Sequence, residues 1–281
     1  LEKLRRNPHL QDKVEFEVLY TCYDLTFDER SKELFGAGFA EEEVVELKRA
    51  LLDLTNNLII HSAESIDVDM KTVFSMEESR KTIIQTAIHE HNPQKLIADA
   101  KILLDECRKK GTVQFSRLAR LGFIGKIVLK SLVKRGVVTR KVYDSVYKSI
   151  STVATKINDD FKKLMAGEFS KEEFIGKYYH LRPGTYDITS SRYEANPNLI
   201  NAISLKFTEE EKEVLRLDGQ AAQRITAALQ NEGLQCIAQQ FLSFVEASTQ
   251  ARELSKFEFT KNLSDALELL AKAGEEMGFT R

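Results

Sequence analysis

The chain has 281 residues, 42% hydrophobic and 30% charged, which is enough apolar material for a real core and too much for a disordered segment. Its net charge of -2 argues against bulk binding to nucleic acid or to an anionic membrane surface. The three cysteines, Cys22, Cys107 and Cys236, are odd in number and far apart, so they fit neither a disulfide framework nor a zinc spacing and read as reduced thiols of a cytoplasmic protein.

Apolar runs such as Leu58-Ile59-Ile60 stop far short of a membrane span. Leu1 to Leu10 is basic and polar, without the apolar stretch of a signal peptide. The chain opens at Leu1 without Met and reads as a domain cut from a longer intracellular protein.

In chain order, Val14 to Phe27 carries a Val-Glu-Phe-Glu-Val alternation that predicts a short extended segment. Glu41 to Ser62 places Val44, Leu47, Leu51, Leu54 and Leu58 on one helical stripe, with three glutamates in the first turn. Ser75-Met-Glu-Glu78 reads as a capping box for a helix from Met76 to about Glu90. Pro93 suits the first turn of the next helix, which should end near Lys110-Gly111.

Phe115 to Lys134 is an apolar helix in which Gly122 and Gly125 would let a neighbouring helix approach closely. Thr139 to Ala166 should be one further helix, stopped by Gly167. Ser170-Lys-Glu-Glu173 and Thr208-Glu-Glu-Glu211 are two more capping boxes. Ala221 to about Leu254 and Leu263 to Met277 complete the helical pattern, with Gly278 as a C-cap.

The fold class is therefore all-α: one large domain over 1–281, divisible into two packed helical subdomains at about 1–167 and 168–281, with one irregular loop. That loop, Tyr178 to Tyr193, gathers His180, Arg182, Thr185, Tyr186, Asp187, Arg192 and Tyr193 around Pro183-Gly184. Pro183 fixes φ and Gly184 permits a positive φ, so Arg-Pro-Gly-Thr predicts a type II turn. Such a turn could present Arg182 and backbone N–H groups to a ligand, and two arginines with a histidine suit a phosphate or carboxylate. On the turn alone the reading of a structural loop, with the charges satisfying helix ends, is favoured.

Arg252 and Lys256 stand four residues apart on one helix face, where like charges repel unless an anion sits between them. A solvated face compensated by Glu253 and Glu258 is the plain alternative. His89 and His91 fall on different faces and make a poor metal pair, so no metal site is expected. No Walker loop, GxGxxG, GxSxG, HExxH or CxxC occurs.

These features occur together in familiar wording. Gly176-Lys-Tyr-Tyr-His-Leu-Arg-Pro-Gly-Thr-Tyr-Asp-Ile-Thr-Ser-Ser-Arg-Tyr193 resembles the "YGHLRPGTYDI…PRY" signature of phosphoenolpyruvate-synthase-like phosphotransferases. The stretches Phe115 to Val137 and Arg252 to Leu267 resemble two helices of the same family, "LARxGFI…LLxSLVxRGV" and "REYxKFxFTxNLSDAL". Val14-Glu-Phe and Thr21-Cys-Tyr fit it too, so the resemblance covers nearly the whole chain. Tyr179 stands where the pattern has Gly, and Ser191 where it has Pro.

The resemblance implies a three-part enzyme: an ATP-grasp domain, a mobile domain carrying a phosphohistidine, and a central acceptor domain. This chain matches the central part alone. The wording is closest to the L-glutamine kinase subgroup, which phosphorylates the glutamine amide nitrogen for capsular phosphoramidate synthesis and releases AMP and phosphate. Rifamycin phosphotransferases are more distant relatives. By this resemblance His180, Arg252 and Lys256 are catalytic candidates, His180 as general base and the two cations on the transferred phosphoryl group. Arg182, Thr185, Tyr186, Asp187, Arg192 and Tyr193 are acceptor-binding candidates. The expected partners are a small-molecule acceptor, L-glutamine first, and the ATP-grasp and phosphohistidine domains of the same polypeptide. ATP and Mg belong to the whole enzyme and no cofactor to this chain. A docking scaffold for the phosphohistidine domain and a free-standing helical interaction module are the competing readings.

Overall fold

A computed structural model describes residues 20–195 and 218–280. Among the described residues every regular element is a helix and none is a strand, in agreement with the all-α class. The Val14 to Val18 alternation that predicted an extended segment lies outside the described residues; from Tyr20 to Thr26 the chain is irregular, and Phe27 begins a helix. The capping box at Thr208 lies outside the described residues.

The helices are α1 (Phe27–Arg30), α2 (Lys32–Gly36), α3 (Glu41–Ile60), α4 (Ser62–Phe74), α5 (Met76–Ala87) and α6 (Pro93–Glu106). A π-helical turn, Cys107–Thr112, leads into α7 (Val113–Lys134). Then come α8 (Arg140–Ser149), α9 (Val153–Met165), α10 (Lys171–Tyr178), α11 (Gly219–Asn231) and α12 (Ala238–Glu276).

The chain forms two compact units that interleave along the sequence instead of dividing near residue 167. The first takes its residues from Leu1–Ile66, Ala119–Ile150 and Lys212–Thr249, the second from Asp67–Leu118, Ser151–Glu211 and Gln250–Arg281. The first unit has one continuous core, in which Leu51 and Ile59 of α3 meet Ile124, Val128 and Leu132 of α7 and Phe241 and Val245 of α12. A Cβ on Gly125 would lie 3.2 Å from Val245 Cγ2, so the close helix approach expected there is present.

The second unit is built on smaller clusters. Leu96, Ala100 and Leu103 of α6 pack with Ala266, Leu269 and Ala273 of α12. Phe161, Phe174 and Tyr178 form an aromatic group against Phe257.

Several boundaries differ from the sequence reading. Ser75 has helical φ and ψ and its hydroxyl donates back to the Thr72 carbonyl, so it does not cap α5. The helix opened by Pro93, whose N-cap Asn92 accepts from the Gln94 N–H, does not stop at Lys110-Gly111. It passes through the π turn because Gly111 is buried against Phe259 rather than free to cap.

Thr139 to Ala166 is two helices. Ile150 turns extended and Thr152 opens α9 with a capping box to Thr155. The run from Ala221 breaks instead at Gly233, whose φ is +84° and whose N–H returns to the Gln230 carbonyl. From Ala238 to Glu276 α12 is then uninterrupted. The caps at Ser170, Gly167 and Gly278 are as expected, both glycines having positive φ.

Candidate functional site

Within the second unit a cleft of ≈ 740 Å³ opens between α5, α9, α10 and α12. Helical spacing explains which residues reach it. Glu77, Arg80, Lys81 and Ile84 form one stripe of α5, and Leu254, Phe257, Glu258, Lys261 and Asp265 form one stripe of α12. Val153 and Lys156 come from α9, and Ile175 to Tyr178 from α10. Tyr179 and Arg192 bring in the irregular loop.

The wall of the cleft holds a buried charge group. Asp265, only 1% exposed, accepts from Arg192 Nη2 through Oδ1 at 2.6 Å and from Arg80 Nη1 through Oδ2 at 3.0 Å. The Tyr179 hydroxyl donates to the same Oδ2 at 3.3 Å and accepts from Arg80. Both guanidinium groups lie near the Tyr179 ring, at 5.9 Å for Arg80 and 5.5 Å for Arg192. Burial and the neighbouring Asp265 charge push the Tyr179 phenol above its usual pKa, so its hydroxyl stays protonated. Lys261 pairs with Glu258 at 2.7 Å, and Lys81 with Glu77 at 2.7 Å.

The loop residues singled out in the sequence take unequal places. Arg192 lines the cleft; His180, Arg182, Thr185, Tyr186, Asp187, Tyr193, Arg252 and Lys256 do not. His180 is 2% exposed, edge-on to Phe257 with ring centroids 4.6 Å apart. Burial first, then the nearby charges of Lys261, Arg192 and Arg80, lower its pKa to about 3; the Phe257 backbone offsets this only in part. Neither ring nitrogen makes a hydrogen bond of ordinary geometry. A neutral, enclosed imidazole of this kind is a weak base with no path to a cleft ligand.

Arg182 is turned inward instead of being presented by the turn. Its Nη2 donates to the Ser264 carbonyl at 3.2 Å, the Ser264 hydroxyl at 3.0 Å and Glu268 at 2.9 Å, while Nη1 reaches the carbonyls of Asp187 and Ser190. The guanidinium thus fastens the loop to α12. The turn itself closes from the Asp187 N–H to the Gly184 carbonyl, two residues beyond the type II turn expected at Arg182 to Thr185. Gly184 does not take a positive φ. It is needed because a Cβ there would lie 2.9 Å from that of Asp187.

The Asp187 carboxylate accepts from the Thr189 N–H and hydroxyl, which hold its pKa below the usual range. Thr185 and Tyr186 are exposed, and Tyr193 is half-buried with its N–H bonded to the Leu181 carbonyl. Lys256 is exposed and Arg252 partly buried, both on a face of α12 other than the cleft stripe.

Sequence reasoning missed Arg80, Tyr179, Lys261 and Asp265. Asp265 sits in the Lys-Asn-Leu-Ser-Asp wording of the α12 stretch, and reading that stretch as one helix would have aligned it with Lys261 and Phe257. Nothing local distinguishes Arg80 from an ordinary solvated helix arginine.

Among the described residues no cluster of His, Cys, Asp and Glu is arranged to hold a metal ion, and no helix is long and apolar enough to cross a membrane. The fold and the cleft define an all-α protein whose second unit carries an arginine-lined pocket. No family model, curated protein or solved structure matches the chain.

Proposed function

We propose that the second unit is the acceptor-binding part of an ATP-dependent phosphotransferase working through a phosphohistidine carrier, with the side-chain amide nitrogen of L-glutamine as acceptor. The observation that carries the reading is the Arg80–Asp265–Arg192 group on the wall of a cleft of ≈ 740 Å³. That size falls in the range of about 300–1,000 Å³ typical of small-molecule sites, and charged side chains make up most of the lining. In the reaction the P–N bond to the carrier imidazole breaks as one forms to the amide nitrogen, and the proton displaced from that nitrogen ends on the imidazole, which leaves neutral. Overall ATP becomes AMP and phosphate. Arg252 and Lys256, on a face of α12 other than the cleft stripe, have no part in this reading of the cleft. His180, enclosed and neutral, is assigned to packing in place of the general-base role its motif suggests.

The second reading is a docking scaffold for the carrier domain. It is favoured by Arg182, whose donors are spent on α12 and on its own loop. Calorimetric titration of the chain separates the two. The acceptor reading expects heat on adding L-glutamine and none on adding ATP. Silence with glutamine up to millimolar concentrations overturns it and leaves the scaffold.

A further inference from the structure

Tyr179, the residue that follows α10, reaches three other parts of the second unit at once. Its hydroxyl accepts from Arg80 Nη1 of α5 and donates to Asp265 Oδ2 of α12 at 3.3 Å. Against its ring lie the guanidinium carbon of Arg80 at 5.9 Å and that of Arg192, from the irregular loop, at 5.5 Å. Burial and the Asp265 charge keep the phenol protonated, so the directions of its two hydrogen bonds are fixed.

The consequence falls on Arg80. A guanidinium holds five N–H donors in one rigid plane. Arg80 spends both donors of Nη1, one on Tyr179 and the other on Asp265 Oδ2 at 3.0 Å. Among the described residues its Nε and Nη2 make no hydrogen bond. Nη2 stands 4.0 Å from Glu77, an ion pair but beyond hydrogen-bond reach. The side chain is 8% exposed and lines the cleft. Because the group is planar, fixing Nη1 also fixes the edge formed by Nε and Nη2.

We propose that Tyr179 is a positioning residue of the cleft, whose hydroxyl turns Arg80 Nη1 inward and so holds the Nε–Nη2 edge ready for an acceptor oxygen of the ligand. This rests on the cleft being the binding site proposed above, and adds which guanidinium edge meets the ligand and what holds it. The single hydrogen bond to Asp265 leaves the guanidinium free to swing about that contact. The second bond, to Tyr179, and the ring against the guanidinium remove this freedom before the ligand arrives. A contact organised in advance costs less ordering on binding.

A double-mutant cycle read by calorimetry with L-glutamine tests the proposal. Tyr179→Phe keeps the ring and removes the hydroxyl, while Asp265 retains both arginines, so circular dichroism should stay that of the wild type. This variant should bind L-glutamine about 5-fold or more weakly than the wild type. Arg80→Lys keeps the charge and removes the planar edge. Arg80→Gln takes its place if the lysine variant loses the wild-type circular dichroism. In that second background Tyr179→Phe should change the affinity by less than about 2-fold, because the group through which the hydroxyl acts is gone. A tyrosine that only braced the fold would weaken binding by the same factor in both backgrounds.

Wild-type affinity in Tyr179→Phe overturns the proposal and leaves the glutamine reading standing. Equal losses with and without Arg80 overturn it in the same way. No heat from the wild type with L-glutamine overturns the glutamine reading, and the proposal falls with it.

Discussion

Arg182 illustrates how a residue chosen for ligand chemistry can be claimed by the fold. Its side chain is 1% exposed and joins the Arg-Pro-Gly loop to Ser264 and Glu268 of α12. Arg182→Ala removes every donor at once and strands the Asp187, Ser190 and Ser264 carbonyls. Breaking a buried pair in this way costs about 3 kcal/mol, discounted from the upper end because Glu268 is 28% exposed. Urea unfolding at pH 7 is the measurement; a loss below about 0.5 kcal/mol would mean water replaces the guanidinium without penalty. The identity of Arg182 was visible in the sequence, but its direction was not. The type II turn predicted for Pro183-Gly184 would have thrown the side chain outward, whereas the turn closes at Asp187 and lets it fold back.

At the scale of elements, the passage from α6 to α7 is the most instructive. Lys110-Gly111 has the composition of a helix end, cations followed by glycine. Instead Gly111 lies inside a π turn where a Cβ would stand 2.6 Å from Phe259 Cβ, and Cys107 Sγ approaches the Phe259 carbonyl at 3.7 Å. The glycine is there for a close helix contact within the second unit, not for a cap.

Gly111→Ala is accordingly expected to destabilise. Overpacking a tight contact costs about 1–3 kcal/mol, against at most about 1 kcal/mol gained in helix propensity. Thermal unfolding should show a lower Tm, and a raised Tm would mean that Phe259 yields freely. The break between α8 and α9 tells a related story. No glycine or proline marks it. Ile150, 3% exposed in the core of the first unit, ends α8, and Thr152 restarts the helix with a cap. The cap was legible as Thr-Val-Ala-Thr; the demand of the core on Ile150 was not.

For the molecule as a whole, His180 ties stability to pH. Its folded pKa of about 3 lies below the unfolded value of 6.5, so between them the unfolded chain binds the extra proton. The contribution is complete above pH 6.5 and shrinks as pH falls through this window, by up to roughly 1.4 kcal/mol per pH unit. His180→Phe should fill the same aromatic surroundings without titrating. Between pH 7.5 and pH 5 the wild type should then lose about 2 kcal/mol more than the variant in urea unfolding. Equal losses in the two proteins would show that the imidazole is solvated when folded.

The helical class, the stripe of α3, the Pro93 start and the caps at Ser170, Gly167 and Gly278 were all decided by local sequence, because apolar spacing, a locked φ or a positive φ acts within a turn or two. The irregular loop between α10 and the residues after Arg192 was equally plain from its Pro-Gly and polar composition. What tertiary structure alone decided was the company each residue keeps. Two interleaved units, an unbroken α12 and a cleft that unites Arg80, Tyr179, Arg192 and Asp265 depend on contacts across as many as 209 positions of chain. Such contacts arise from burial of whole helix faces and from pairing of charges withdrawn from water. The spacing of neighbouring residues can mark a face for burial, but not which distant face or charge it will meet.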